Sequence, residues 1–535
     1  MAKKLGKSEV PGGNINDFQC FGPVAKVDGN FQGVMLADLG CFKQGEVDSN
    51  KYYHAAIVQS KTTSKWYVYF EWGRTGNSSK PQFQFVECNS KEEAQKEFES
   101  QLHSKNDKRG QWINVSGISV LEAKPGKDVY LVREQASRTT GLPDARNITS
   151  GDEIKKVVKK GKVKIDIEPE VGSLLKDLNI GTVAYTRATM VGDDMPTIRA
   201  INEGRDILKV AAQRIEKIGD SVEDQIQDKD LITLTNTLYS RIPKEKKRNL
   251  EASLWILNRR NIAIWNQDLD AFESALGAVE VEVEDNPYGD LPIELKWLGN
   301  SAKPLTPMAE WICNWMPSAT LNKHNYLGRL RLKGIWEISR KDGRNLLPKV
   351  QDELLSQKLE IKERPLFQNG LRERPDLTTE EKKKYWHTNT SVLFHGSRSV
   401  NIRGILKSDL ILRTNLNGVP MVGAAFGNGL YFADDYKKSV GYTSHPGAIY
   451  TGLNRGIIKN RIAFMFLGDV ALGNSWVAKK TETTLSKAPD GYHSVFGKGN
   501  HTQGYHQKIQ NNEFIVYNTK QNTLKYLVEI DATKS

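Results

Sequence analysis

The apolar pattern of this chain changes its period twice, and no single core accommodates both changes. KYYHAAIVQ (51–59) and KWYVYFEWGR (65–74) are aromatic and β-branched runs joined by a turn-like SKTTS, an antiparallel strand pair by propensity and spacing. NSKEEAQKEFESQLHSK (89–105) reads as a helix, with Asn89 or Ser90 as its cap and Glu92 and Glu93 at the positive end of its dipole. From about Glu168 to Val283 the spacing is helical: MPTIRAINEGRDILKVAAQRIEKI, KDLITLTNTLYSRIP and NLEASLWILNRRNIAIW each place apolar residues on one stripe. After the acidic VEVEVEDNPYGD (279–290), strand lengths return in YLGRLRLKGIWEI (326–338), SVLFHG, GLYFAD, RIAFMFLGDVALG, EFIVYN and LKYLVEI. A chain of 535 residues patterned in this way forms about three domains. The expected fold class is multidomain α+β. A flexible tail occupies 1–32, a small α+β domain 33–135, a basic linker 136–167, an all-α bundle 168–283, and a mixed, mostly antiparallel α+β domain 290–535.

The stretch Ser391 to Ser444 concentrates the chemistry. The apolar run Val392 to Phe394 ends in His395-Gly396-Ser397, and the short piece Gly429 to Ala433 ends in Asp434. Two strands thus deliver functional side chains at their ends, which is how a rigid sheet presents a site. Gly427-Asn428-Gly429 is followed by Leu-Tyr-Phe, without the third glycine or the helix start of a dinucleotide fingerprint, so NAD bound here is bound without a Rossmann domain.

Charge and cysteine usage narrow the class. The formal charge of +12, the pI near 9.2 and the lysine-rich KKVVKKGKVK (155–164) are compatible with a polyanionic partner. Cys20, Cys41, Cys88 and Cys313 lie far apart with no CxxC or Cys/His spacing, which argues against a structural zinc site and a disulfide-stapled secreted domain. His493, His501 and His506 share a loop without Cys or carboxylate partners, so no metal is expected. MAKKLGKSEVPGG has no apolar core, and the longest apolar run, IAFMFLG (462–468), is too short to span a bilayer. A soluble intracellular protein with no membrane partner is expected.

HGS at 395–397, GLYFAD with Tyr431, KKSVGY with Ser439 and Tyr442, and NNEFIVY with Glu513 occur in an order and spacing that resemble the catalytic domain of the poly(ADP-ribose) polymerases. The resemblance implies an ADP-ribosyltransferase for which NAD+ is the substrate, with His395, Tyr431 and Glu513 as the catalytic, polymer-forming set. It implies that Gly396 offers backbone N–H and C=O to the nicotinamide carboxamide and Ser439 a hydroxyl, that Tyr442 stacks on the ring, and that Tyr431 lines its other side. His395 and Ser397 then orient the adenosine end, with Asn401 and Arg413 lining the pocket. Glu513 would hydrogen-bond the ribose 2′-hydroxyl, offset the oxocarbenium charge and polarise the acceptor. The chain departs from the family where Asp409 and Ile411 replace a Gly and an Arg, the latter role passing to Arg413, and where Ala424-Ala425 replace Tyr-Met. The acceptor-side segment 485–510 is also shorter than in the long-loop members.

Trp72-Gly73-Arg74, with Gly76 and RGQW (109–112) downstream, resembles the WGR domain named for these residues. That resemblance implies DNA with strand breaks as a partner, Trp72 packing on a terminal base or sugar and Arg74 bridging to DNA or to a neighbouring domain. In isolation the tripeptide reads more readily as a core Trp beside a surface Arg, and the strand–helix context with the downstream catalytic segment reverses that preference. LITLTNTLYSRIP is similar to the regulatory helical domain of DNA-dependent members, but Lys244-Glu245-Lys246-Lys247-Arg248 stands where these carry an His-Asp-Phe-Gly turn. The function implied is break-activated transfer of ADP-ribose to protein acceptors including the chain itself, in the nucleus of a eukaryote or otherwise in the cytoplasm and nucleoid. The alternative is a DNA-end-binding scaffold with weak or mono-ADP-ribosyl transfer. A single-domain ADP-ribosylating toxin is disfavoured by the two domains that precede the catalytic one.

Overall fold

The computed structural model describes residues 3–4, 31–43, 49–60, 63–74, 82–133, 135–136, 167–189, 195–242, 244, 251–281, 288, 291–318, 330–365, 368–412, 425–444, 462–504 and 507–531. The basic segment 155–164 lies outside them. The chain divides into two compact units, the first drawn mainly from Met1–Leu142 and Thr186–Leu276, the second from Pro143–Tyr185, Gly277–Gly418 and Val422–Ser535. No helix among the described residues is long and apolar enough to cross a membrane.

In the first unit a six-stranded sheet runs in the order Lys3–Lys4, Gln82–Cys88, Trp66–Arg74, Ser49–Ser60, Phe31–Lys43, Leu131–Arg133. The stretch expected as a tail thus contributes Lys3–Lys4, paired antiparallel with Glu87 and Val86 at the sheet edge. Alternate residues such as Ala55, Ile57, Val68 and Phe70 share one face with Ala94 and Phe98 of helix Lys91–Lys105. Ser90 caps that helix by accepting from the Glu93 N–H, while the Glu93 carboxylate accepts from the Asn89 N–H. A hairpin, Gly110–Val115 with Ile118–Ala123, turns at Ser116 (φ +49°) and Gly117 (φ +92°), both in the left-handed region that a two-residue turn requires. Helix Lys229–Arg241 covers strand Phe31–Lys43: the Ser240 hydroxyl accepts from the Phe42 N–H at 2.8 Å, and Phe42 stacks on Tyr239 at 4.5 Å.

The helical stretch is shared between the units. Helices Ile198–Ile218, Lys229–Arg241 and most of Arg259–Val281 belong with the first unit, whereas Pro169–Thr189 belongs to the second as far as Tyr185. The reason is where each stripe is buried. Val171, Leu174, Leu175 and Leu178 fall at i, i+3, i+4 and i+7, and that stripe closes on the core of the second unit.

The second unit is built on two sheets. One runs Ile293–Gly299, Leu332–Arg340, Asn522–Asp531, Ile462–Ala471, Thr390–Gly396, and all its pairs are antiparallel. The other runs Leu430–Phe432, Glu513–Val516, Ser494–Gly497, Ser475–Val477, with its last pair parallel. Strand Ile462–Ala471 is buried on both faces: Phe464 and Phe466 enter one core cluster, Met465 and Leu467 the other. A buried charge network fastens it to the preceding helical turn. Arg374 bonds Asp376 at 2.6 Å and Asp469 at 2.5 Å, and the Tyr385 hydroxyl donates to Asp469 at 3.0 Å.

Candidate active site

Strand Thr390–Gly396 lies at the edge of the five-stranded sheet, with His395 opposite Phe466 and Gly396 opposite Met465. The Phe394 N–H donates to the Ala433 carbonyl at 2.8 Å and the Phe394 carbonyl accepts from the Ala433 N–H at 3.0 Å, which ties this strand's end to the end of strand Leu430–Phe432. In the second sheet Tyr431 pairs with Ile515 and Glu513 with Gly497. His395, Tyr431 and Glu513 are thereby brought to one place by the junction of two sheets.

Each has a defined state. The His395 Nδ1–H donates to the Tyr431 carbonyl at 2.9 Å, since a carbonyl only accepts, and this leaves Nε2 of the neutral ring as an acceptor. Desolvation holds the imidazole below its usual pKa. The Tyr431 hydroxyl donates to the Gly427 carbonyl at 2.8 Å and accepts from the Phe426 N–H at 2.9 Å. Burial pushes its pKa well up, and the charges of Tyr517, Glu513 and Tyr442 add to the rise. With the hydroxyl committed to backbone, this residue offers a ligand its ring.

Glu513 is held on one side only. Its Oε1 lies 2.7 Å from Lys438 Nζ, both side chains being about nine-tenths buried, while Oε2 is buried without a protein partner. Lys438 sits on the short helix Tyr436–Val440 and reaches the Asn512 carbonyl at 3.4 Å. The Asn512 amide in turn donates to Asp434 at 3.0 Å and accepts from the Gly499 N–H at 2.9 Å. Sequence reading missed Lys438. Its only signal is its place beside Ser439 in KKSVGY, because the pairing joins segments 75 residues apart (513 − 438).

Gly396 is obligatory, since a Cβ there would come 1.8 Å from the Ser439 carbonyl oxygen. Ser439 is buried and its hydroxyl donates to the Phe394 carbonyl at 3.2 Å, while the Tyr442 N–H donates to the Ser439 carbonyl at 3.1 Å. Beyond Ser397 the helix Ser399–Ser408 carries Asn401, whose amide donates to Ser397 Oγ at 3.4 Å and whose Oδ1 is buried without a partner. Ile411 is exposed, and Arg413 and Ala424 lie outside the described residues. His493 accepts from the Asn474 N–H at 3.2 Å through Nδ1 and meets the Gln357 side chain at 3.0 Å through Nε2; His506 lies outside the described residues. Among the described residues no group of three or more His, Cys, Asp or Glu side chains could hold a metal ion.

In the first unit Trp72, Gly73 and Arg74 end strand Trp66–Arg74, opposite Tyr53, Tyr52 and Lys51. Trp72 is partly buried, stacked 6.1 Å from Tyr53, and its indole N–H donates to Gln82 Oε1 at 2.7 Å. A Cβ at Gly73 would lie 2.8 Å from the Tyr52 ring.

Residues 366–532 match the poly(ADP-ribose) polymerase catalytic domain, and residues 41–115 match the WGR domain. Over 164 residues the chain is 35% identical to poly [ADP-ribose] polymerase 1 of Danio rerio, covering 26% of this chain and 15% of that protein. It is 35% identical over 144 residues to protein mono-ADP-ribosyltransferase PARP4 of Mus musculus, covering 26% and 7%. Against poly [ADP-ribose] polymerase 2 of Homo sapiens the identity is 22% over 517 residues, covering 91% of this chain and 77% of the relative. The chain spans under half the length of the polymerase 1 relatives it matches. The chain thus carries a region similar to the poly(ADP-ribose) polymerase catalytic domain and a region similar to the WGR domain.

Proposed function

We propose that the protein transfers ADP-ribose from NAD+ to protein side chains, its own among them, that it elongates the chains, and that DNA strand breaks raise its activity. The observation that carries the reading is the half-open Glu513 carboxylate, anchored by Lys438 and buried at Oε2. A desolvated, pre-oriented negative group is what an oxocarbenium-like ribose requires, because it stabilises charge that exists only in the transition state. As the C–N bond breaks, its electron pair moves to the nicotinamide nitrogen and cancels the pyridinium charge. The acceptor oxygen then bonds the ribose carbon and passes its proton to the Glu513 carboxylate, from which it leaves to solvent.

The same reading assigns roles to the remaining residues. On it Gly396 and Ser439 hold the carboxamide, the rings of Tyr431 and Tyr442 sandwich the nicotinamide, and His395 Nε2, Ser397 and Asn401 receive hydroxyls or amides of the adenosine half, a role assigned to Arg413 as well. Stacking of this kind contributes on the order of 1 kcal/mol beyond area burial. Trp72, Gly73 and Arg74 are the proposed contacts to a DNA end, a reading supported by the WGR match. DNA as a partner supports a nuclear protein in a eukaryote. The relatives named above include both a polymerase and a mono-ADP-ribosyltransferase, so the alternative of weak or mono transfer is tested alongside. The experiment is incubation with labelled NAD+, with and without nicked DNA, resolved on a gel. A DNA-stimulated ladder is expected. A single labelled band instead of a ladder restricts the activity to mono transfer, and no label in either condition overturns the enzyme reading.

A further inference from the structure

Helix Ser399–Ser408 follows directly on His395-Gly396-Ser397 and carries Asn401, so its placement sets one end of the site. Arg340 donates to the carbonyls of Leu406 at 3.2 Å and Lys407 at 3.0 Å, and Arg344 to that of Ser408 at 3.0 Å. Two cations thus satisfy the orphan carbonyls at the negative end of its dipole. A further tie comes from a distant segment. Arg403, 1% exposed, donates its Nε–H to Asn179 Oδ1 at 2.7 Å, and Asn179, 5% exposed, stands on helix Pro169–Thr189. The apolar stripe of that helix enters the same core cluster as Ile402 and Leu406.

We propose that Asn179 is a positioning residue for the dinucleotide. Through Arg403, helix Pro169–Thr189 sets the pose of helix Ser399–Ser408, and with it the affinity of Ser397 and Asn401 for the adenosine half. The inference rests on the reading of this site as an NAD+ site. Apolar contacts between two helices tolerate sliding by a fraction of an ångström. A short charge-assisted bond between two buried side chains does not, because a shift lengthens the bond from the guanidinium N–H to its acceptor where burial gives no cheap replacement. The nicotinamide end is insulated from such a shift, because Gly396 and Ser439 are held by the sheet junction and not by this helix.

The test uses the full chain, with nicotinamide and ADP-ribose as separate probes in calorimetry and NAD+ in kinetics. Asn179→Ala is expected to weaken ADP-ribose binding about tenfold, the share of a hydrogen bond to a charged group, and to leave nicotinamide binding within about twofold. The KM for NAD+ rises while kcat stays close to wild type. Asn179→Asp is expected to restore ADP-ribose affinity, since a carboxylate accepts the same N–H; this rescue separates a positioning role from lost packing. Equal loss of both probes in step with melting temperature, or no loss of either, overturns the inference while leaving the site reading intact. A wild-type chain that binds neither probe overturns the site reading and the inference together.

Discussion

Glu513 is a carboxylate with a fixed partner on one oxygen and a second oxygen that is buried and hydrogen-bonded to no protein group. Glu513→Gln keeps its shape and volume and removes its charge. We expect NAD+ turnover to fall roughly a hundredfold or more, with NAD+ affinity changed about twofold at most, since the lost term belongs to the transition state. Labelled-NAD+ turnover beside calorimetry checks this, and unchanged turnover would remove Glu513 from the chemistry. His395 makes a second prediction through its protonation state. Folding lowers its pKa below the ordinary 6.5, so the unfolded chain takes up the proton first. The stability this group contributes is whole above pH 6.5 and is lost as pH falls through the lower folded value. NAD+ affinity, which on our reading needs Nε2 as an acceptor, is set by the folded chain alone and falls as pH drops through that lower folded value. The KM for NAD+ is therefore expected to be flat down to pH 6.5 and to rise below it; an acid limb centred above that value would contradict the neutral ring. The sequence exposes His395, Tyr431 and Glu513 because each sits in a local motif. It conceals Lys438, Asn179 and Arg403, whose partners are set by packing between segments far apart.

At the scale of elements, helix Ser399–Ser408 ends in a residue that strains it. Asp409 sits at φ +63°, ψ −175°, a conformation open to glycine and costly for anything with a Cβ. Its carboxylate accepts from the Leu410 N–H at 2.7 Å, and burial raises its pKa. A raised pKa means that the folded state favours the protonated acid, so the penalty for the charged form is largest at neutral pH and fades on acidification. Asp409→Gly removes both the strain and the desolvated charge. It is expected to stabilise the protein by about 1 kcal/mol near neutrality, a few degrees in melting temperature, and by less near pH 4. Thermal melts at the two pH values decide it, and a destabilised variant would show that the Leu410 bond outweighs the strain. Strand patterns and the Ser90 cap were legible because they depend on neighbours in sequence. The allegiance of helix Pro169–Thr189 was not, because an amphipathic stripe declares that it is buried without saying against what.

At the scale of the molecule, the catalytic strands and the WGR motif belong to different units of the chain. On the proposed reading, an effect of Trp72 or Arg74 on rate is a coupling between DNA binding and the NAD+ site. The two residues make unequal probes. Trp72 packs beside Tyr53 at the edge of the first unit's core and bonds Gln82, so Trp72→Ala removes packing as well as any stacking on DNA. Trp72→Phe keeps an aromatic face and loses only the indole N–H. Arg74 is the last residue of its strand and adds no apolar ring to that core cluster, so Arg74→Ala removes less core packing than Trp72→Ala. Loss of a hydrogen bond from a charged donor is worth about 1.5–3 kcal/mol, which lowers DNA affinity roughly ten- to a hundredfold. With DNA below saturation, Arg74→Ala should cut the DNA-stimulated rate in proportion, leave the DNA-independent rate within about twofold, and recover the full stimulated rate at high DNA concentration if coupling itself is intact. Measured on the same samples, a melting temperature and a basal rate that fall together would make Arg74 a structural residue, whereas a rate that stays low at saturating DNA would place it in the coupling step.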